Sequence, residues 1–164
     1  MIKEPMVIEI ARNTYAINEF GLSACYFLIG DERALLIDTA CGLSDLKGIA
    51  ASLTDKPYDV VLTHGHLDHV GGIGEFSDVY LGEADFAMTR NLNAEKLRGF
   101  ADEIGRNGGY QAYAYDINKI RSFEMPIFHA LHEGDVLDLG NRRVECIEVA
   151  GHTPGGICFL DETT

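Results

Sequence analysis

Short apolar runs alternate with turn residues over the first forty positions, which is the pattern of a strand meander. Four such runs are separated by turn residues such as Gly30 and Asp31, and they read MVIEI, TYAIN, ACYFLIG and ALLID. Runs of this length that end at Gly or Asp are typical of short strands. The pattern therefore predicts that the N-terminal region forms a small β-sheet.

Residues 43–53 have the spacing of a helix with one apolar face, and Ser44 is suited to be the N-cap of that helix. The apolar positions of this face are Leu43, Leu46, Ile49, Ala50 and Leu53. The runs DVVLT at residues 59–63 and VYLG at residues 79–82 are again typical of strands. Strand, helix and strand in this order predict an α/β layer.

The pattern changes between Glu83 and Phe123, where we predict helices and loops that cover one end of the sheet. EADFAMTRNL at residues 83–92 has helical character, and a glycine-containing region with three tyrosines follows it, namely Tyr110, Tyr113 and Tyr115. Aromatic loops flanked by glycine often cover sites, so these tyrosines could form a lid that faces a substrate. The alternative is that they pack the covering loops.

The C-terminal part of the sequence is β-like again. Gly140-Asn141 has the composition of a hairpin turn between VLDL and RRVECIEV, and GICFLD predicts a final strand. We find no repeat of fixed period and no linker. The sequence therefore predicts one α/β domain that spans residues 1–164.

Composition and charge narrow the classes of partner. The hydrophobic fraction of 46% is typical of a globular protein. The formal net charge of −13 would repel nucleic acid and an anionic membrane surface, so we expect neither as a partner. A metal ion can reverse the local charge of a pocket, so an anionic substrate stays compatible with this charge.

The N-terminal residues lack the pattern of a signal peptide, and we predict a cytoplasmic location. Four scattered cysteines fit a reducing compartment and are predicted to be small buried side chains: Cys25, Cys41, Cys146 and Cys158.

The segment THGHLDHVGG, residues 63–72, concentrates ligand-type side chains directly after a predicted strand. Residues two apart in an extended segment point the same way, so His64 and His66 can chelate one ion while Gly65 lets the backbone bend. Asp68 and His69 can face a second ion across the turn. The alternative is a polar surface loop, but four such residues at this spacing favour metal binding.

A second segment, VAGHTPGG at residues 149–156, places His152 in a tight turn at the end of a predicted strand. Together with the first loop it supplies a third imidazole for the first ion. Catalytic zinc sites commonly have three protein ligands and one open position.

These segments resemble the motifs of the metallo-β-lactamase superfamily. THGHLDHVGG is similar to its H-x-H-x-D-H signature, GHTPGG to the next motif, and LLIDTACG to the upstream motif with a strand-end aspartate. The resemblance implies an αββα sandwich with a metal site at one edge of its two sheets. It also implies that His64, His66 and His152 bind the first metal, and that Asp68 and His69 bind the second. Asp38 is then a residue that orients the site loop.

The residues of these motifs most resemble those of the glyoxalase II-like hydrolases, which cleave thioesters, lactones and related acyl compounds. The resemblance thus implies a hydrolase that uses one or two zinc ions, with iron or manganese as alternatives, and a small-molecule acyl substrate. A hydroxide bound to the metal would attack the carbonyl, and Asp68 would orient it as the catalytic residue.

The sequence departs from the family pattern after GHTPGG. Complete members have a later bridging aspartate and a further histidine, whereas Asp161 follows His152 too closely to be a bridging ligand. We therefore expect this chain to be the N-terminal portion of a larger αββα domain, which is incomplete in this chain. Uncovered sheet surface would then favour a homo-oligomer.

Two other classes of function stay open from the sequence. The same three histidines would accept ferrous iron in a sulfur or oxygen redox enzyme, and a chain of this length could be a non-catalytic metal-binding module. His129 and His132 lie outside the motifs, and they either line the pocket or are structural or exposed.

Overall fold

The fold is a layered arrangement of ten strands and four short or medium helices, seen in a computed structural model that describes residues 4–107, 116, 120 and 123–163. The strands are β1 (Met6–Ala11), β2 (Thr14–Glu19), β3 (Ser23–Ile29), β4 (Ala34–Ile37), β5 (Tyr58–Val61), β6 (Asp78–Gly82), β7 (Ile127–Leu131), β8 (Val136–Asp138), β9 (Arg143–Glu148) and β10 (Ile157–Asp161). The helices are α1 (Leu46–Leu53), α2 (Leu67–Val70), α3 (Phe86–Thr89) and α4 (Ala94–Asn107). Two 3₁₀ turns are found at Ile73–Glu75 and Glu83–Asp85.

Strands β1 to β7 form one seven-stranded sheet in sequence order. The pairs from β1 to β4 are antiparallel, whereas β4, β5, β6 and β7 run parallel to one another. Parallel strands end at the same edge of a sheet, so the segments that follow β4, β5 and β6 meet there. This edge holds Asp38 after β4, the histidine loop after β5 and Asp85 after β6.

The second sheet is antiparallel, with the order β10-β9-β8, and it packs on one face of the large sheet. The interface contains Leu35 and Val61 from the large sheet and Val144 and Ile157 from the small one. The opposite face of the large sheet packs against the helices, which contribute Leu46 and other apolar side chains to a separate core cluster. These layers confirm the predicted α/β sandwich.

The strands predicted from the short apolar runs are confirmed, but two helical predictions need correction. Helix α1 begins at Leu46, and its N-cap is Asp45, whose Oδ1 accepts a hydrogen bond of 2.9 Å from the Gly48 N–H. The predicted N-cap Ser44 is instead a buried residue of the preceding loop. The predicted helix over residues 83–92 is only a 3₁₀ turn and the short α3, because β6 runs directly into that turn.

Three of the four cysteines are buried as predicted, but Cys158 on β10 is exposed, since alternate side chains of a strand point to opposite faces. Tyr110, Tyr113 and Tyr115 lie outside the described residues. Within the described ranges, no helix is long and apolar enough to cross a membrane.

Candidate metal centre

Three histidine rings converge at the edge where β5 and β10 approach each other. His64 Nε2 lies 3.0 Å from His66 Nδ1, which in turn lies 2.9 Å from His152 Nε2. All three donor atoms fall within 4.8 Å of one another, although His152 is 86 residues further along the chain than His66. The structure thus brings together the three imidazoles that the sequence motifs assigned to one ion.

The orientation of the His64 ring follows from a hydrogen-bond chain. His64 Nδ1 lies 3.0 Å from Thr63 Oγ1, and this hydroxyl lies 2.8 Å from Asp38 Oδ2. Because the Asp38 carboxylate accepts the hydroxyl proton, Thr63 Oγ1 accepts the N–H at His64 Nδ1. His64 Nε2 is then left with a free electron pair. Burial lowers the pKa of His64, with the neighbouring His69 as the next cause, which favours the neutral, ligand-competent ring.

His69 and Asp68 form a second pair of donors beside this cluster. The His64 and His69 ring centroids are 4.1 Å apart, and His69 Nε2 lies 3.5 Å from Asp68 Oδ2. His69 Nδ1 lies 2.8 Å from Asp38 Oδ2. Burial opposes charge on this ring, but the hydrogen bond and the charge of Asp38, together with the charge of Asp68, raise the pKa of His69 overall.

Asp38 holds its position through an unusual backbone conformation. Its φ is 65°, in the left-handed region that non-glycine residues rarely adopt, and its Oδ1 accepts the Thr63 N–H at 2.7 Å. The next residue, Thr39, donates its N–H to the His69 carbonyl at 2.7 Å. Conformations of this kind persist where the surroundings fix them, often at functional sites. Asp38 therefore contacts the His69 ring directly and reaches the His64 ring through Thr63, whereas the resemblance assigned it to orienting the site loop.

Sequence reasoning missed Asp85, which lies at the end of the 3₁₀ turn after β6. Its side chain is fully buried, and its two oxygens accept the N–H groups of Gly65, at 3.0 Å, and Gly155, at 2.8 Å. The available signal was its place after a parallel strand that ends at the same edge as the histidine loop. No motif marked it.

The other sequence candidates have partners outside the three rings. His129 Nε2 is 2.8 Å from Asp78 Oδ1, and His132 Nδ1 is 3.6 Å from Asp135 Oδ2. Asp161 forms a salt bridge with the buried Arg142, consistent with the expectation that it is not a bridging ligand. A groove of about 490 Å³ does begin at His64 and His152 and is lined mostly by apolar side chains. These include Tyr26, Leu28, Ile37, Val149, Ile157 and Phe159.

The three converging nitrogens fit a divalent metal. Zinc–imidazole bonds are about 2.0–2.1 Å long, so tetrahedral ligand atoms lie roughly 3.3 Å apart, close to the spacing of His66 Nδ1 from its two neighbours. Ring nitrogens at these distances can all donate electron pairs to one cation that lies between them. Fold and site together define the class of α/β metalloproteins with a histidine-rich centre at a sheet edge.

The chain belongs to the metallo-β-lactamase superfamily, whose family model matches residues 18–164. The acyl-coenzyme A thioesterase MBLAC2 of Gallus gallus is 32% identical over 157 residues, which are 87% of this chain and 55% of that protein. The probable polyketide biosynthesis zinc-dependent hydrolase PksB of Bacillus subtilis (strain 168) is 25% identical over 138 residues, which are 83% of this chain and 49% of that protein. The chain thus spans about half the length of these relatives.

Solved structures show the same fold. A subclass B3 metallo-β-lactamase from a soil metagenome library superposes with a TM-score of 0.66 at 19% identity, covering 99% of this chain and 59% of that one. A class B3 di-zinc metallo-β-lactamase from an Alaskan soil metagenome gives a TM-score of 0.63 at 23% identity, covering 99% of this chain and 60% of that one. At these identities the likeness establishes the architecture alone.

Proposed function

We propose that this chain carries the first metal site of a metal-dependent hydrolase that acts on a thioester or a related acyl substrate. The observation that carries the proposal is the convergence of three imidazole nitrogens from two distant loops within 4.8 Å. Such a trio leaves one position of a tetrahedral ion open for water or substrate. Members of the same superfamily with hydrolase names support the reaction class.

Under this proposal, His64, His66 and His152 hold the first ion, and Asp68 and His69 contribute to a second. Zinc is the metal we propose, because nitrogen ligands suit it and one structural neighbour is described as a di-zinc enzyme. A bound zinc ion supplies Lewis acidity and makes a bound water acidic enough to lose a proton near neutral pH. Asp68 and His69 are the only second-site donors we assign among residues 4–107, 116, 120 and 123–163.

The protein side chains have separate roles in this reaction. We assign two roles to Asp68, namely to orient the attacking water and to accept the proton that this water releases. Asp38 keeps His69 in the tautomer that leaves Nε2 free, because it accepts the N–H at Nδ1. Thr63 does the same for His64. These two contacts thus favour tautomers in which the Nε2 atoms of His64 and His69 can bind an ion.

The acyl class of substrate is supported by the surface beside the rings. The groove of about 490 Å³ that begins at His64 and His152 offers apolar side chains to the part of a substrate next to the reacting carbonyl. Apolar walls with a few polar groups at one end are typical of small-molecule sites. The thioesterase activity in the name of the chicken relative is consistent with such a substrate.

The proposal is tested by measuring hydrolysis with the zinc-loaded chain and three probes. These are a long-chain acyl-coenzyme A, followed by release of the free thiol, an acyl-homoserine lactone and a chromogenic β-lactam. We expect zinc-dependent cleavage of the thioester or the lactone. Cleavage of the β-lactam alone, or acyl hydrolysis that is unchanged after zinc is removed, would contradict the proposal.

Two variants assign the activity to the site. Asp68→Asn should keep the first ion, since it leaves all three histidines in place, but should lose most of the hydrolysis. Asp135→Asn is a matched control, because Asp135 is an exposed carboxylate beside the remote His132. Full activity in Asp68→Asn would overturn the role that we assign to Asp68.

A further inference from the structure

Asp85 is a fully buried acidic residue at the sheet edge that carries the histidines. It lies between the two loops that supply them, and it contacts neither a histidine ring nor the groove among the contacts that the structure describes. Burying a carboxylate costs free energy unless hydrogen bonds satisfy its oxygens. Both oxygens of Asp85 are satisfied, each by the backbone of a different loop.

The two hydrogen bonds couple loops that are far apart in sequence. Oδ2 accepts the N–H of Gly65, which separates His64 from His66, and Oδ1 accepts the N–H of Gly155, three residues after His152. Because the two oxygens of one carboxylate have a fixed separation, the two N–H groups are held at a fixed separation as well. The distance between the histidine loops is thereby tied to one side chain.

The packing around Asp85 leaves little freedom for another arrangement. A Cβ at position 155 would lie 2.6 Å from the Asp85 nitrogen, and a Cβ at position 82 would lie 2.1 Å from the Gly155 carbonyl oxygen. A Cβ at position 65 would lie 2.9 Å from the Cβ of Met88. These backbones approach one another closely only because the three positions are glycines.

We propose that Asp85 is a positioning residue that sets the spacing between the His64–His66 loop and the His152 loop, and so preorganises the first metal site. This inference rests on the proposed metal site and adds a residue that acts on the ion through the backbone of both ligand loops. Only a carboxylate can do this at position 85. An asparagine has one acceptor oxygen, and its NH₂ group would face the second N–H donor.

The test compares zinc affinity of the full chain, wild type against Asp85→Asn, by competition with a chromophoric chelator. Loss of a group that orients metal ligands typically weakens metal binding by about 10–100-fold, and we expect a loss in that range. Asp59→Asn is the control. Asp59 is a partly buried acid of β5 that forms a salt bridge with Arg33, and it lies at the opposite end of this strand from the histidine loop.

The outcomes separate the inference from the proposed function and from a general loss of stability. Wild-type affinity in Asp85→Asn would overturn the inference, and so would an equal loss of affinity in Asp59→Asn. Absence of zinc binding in the wild type would instead overturn the proposed metal site. Weaker zinc binding by Asp85→Asn, together with unchanged zinc binding by Asp59→Asn, supports the inference.

A second measurement requires no variant and no metal. In metal-free wild type, amide hydrogen exchange followed by NMR should show slow exchange at Gly65 and Gly155, although both lie in loops, because their N–H groups are bonded to a buried carboxylate. Gly151 is a suitable reference, since it lies in the same loop as His152 and its N–H bonds to a backbone carbonyl instead. Exchange at Gly65 and Gly155 as fast as at an exposed loop amide would overturn the inference even if Asp85→Asn did not fold.

Discussion

Thr63 shows how one hydroxyl can determine the chemistry of a neighbouring ring. Its Oγ1 contacts His64 Nδ1 at 3.0 Å and Asp38 Oδ2 at 2.8 Å. Because the buried carboxylate accepts the hydroxyl proton, the hydroxyl oxygen accepts the N–H of a ring that the carboxylate itself does not contact. At the residue scale, the site depends on such partners as much as on the donor atoms themselves.

Thr63→Val tests this role, because it keeps the shape of the side chain and removes the hydroxyl. Without that acceptor, His64 can place its proton on Nε2, so we expect zinc affinity to fall by about tenfold. Thr63→Ser keeps the hydroxyl and should bind zinc nearly as the wild type does. Equal affinity of the Val and Ser variants would contradict the assigned role. Chelator competition measures both.

The raised pKa of Glu75 predicts how the free energy of unfolding depends on pH. Burial raises the pKa of its carboxyl from 4.5 to about 7, with the neighbouring Asp45 adding to the effect, while the Lys47 backbone and charge oppose it. Between these values the folded chain keeps a proton that the unfolded chain has released. This group therefore lowers the free energy of unfolding as pH rises from about 4.5 to about 7.

Glu75→Gln removes this titration, so the variant should be more stable than the wild type above pH 7 and should lose that advantage near pH 4.5. Urea unfolding at several pH values measures the difference. A constant difference across that range would show that Glu75 does not titrate as described.

Residues of the site differ in how far sequence could identify them. His64, His66 and His152 lie in motifs whose spacing reflects ligand chemistry, so sequence predicted that they lie together, and the structure brings their donor atoms within 4.8 Å of one another. Thr63 and Asp85 act through single hydrogen bonds to backbone or hydroxyl partners, and such contacts leave no periodic pattern. Asp85 in particular meets Gly155 across 70 residues of sequence, which only the folded chain reveals.

At the scale of elements, the close approach of two loops fixes the site edge. The loop after β4 meets the end of α2, where a Cβ at position 71 would lie 2.2 Å from the Cys41 carbonyl carbon. Sequence predicted most strands correctly because short apolar runs between turn residues are distinctive. The prediction of one helix over residues 83–92 was wrong, because helix propensity does not show where a strand passes directly into a 3₁₀ turn.

Gly71→Ala should destabilise the fold by about 1–3 kcal/mol, because the added methyl group meets backbone that cannot move aside easily. Gly99→Ala is the matched control within α4, where a Cβ would meet nothing within 4 Å. This second change should stabilise the protein by about 0.5–1 kcal/mol, since alanine favours a helix interior. Urea unfolding of both variants is the measurement. Equal effects of the two changes would contradict the close approach.

At the scale of the whole molecule, Arg142 connects the two sheets. This buried side chain donates to the Asn13 carbonyl and to Thr14 Oγ1 beside and within β2, and it forms a salt bridge with Asp161 of β10. The large and small sheets are therefore joined by a charged group as well as by their apolar interface. Sequence could not pair these residues, because one arginine among many carries no signal of its partner.

Arg142→Met should cost about 3–5 kcal/mol, because it removes the guanidinium that compensates the mostly buried Asp161. The double variant Arg142→Met with Asp161→Leu should recover part of this loss, since it removes both charges at once. Urea unfolding of both proteins gives the comparison. A double variant that is no more stable than Arg142→Met would contradict this account of the pair.

The central claim is that His64, His66 and His152 form a metal site, and elemental analysis of the purified chain tests it most directly. Protein prepared without chelator should contain about one zinc ion or more per chain, and His66→Ala prepared alongside should have lost the first ion while keeping its strand content. Iron in place of zinc would support the redox alternative. Wild type without stoichiometric metal, or a His66→Ala variant with the same metal content, would contradict the assignment.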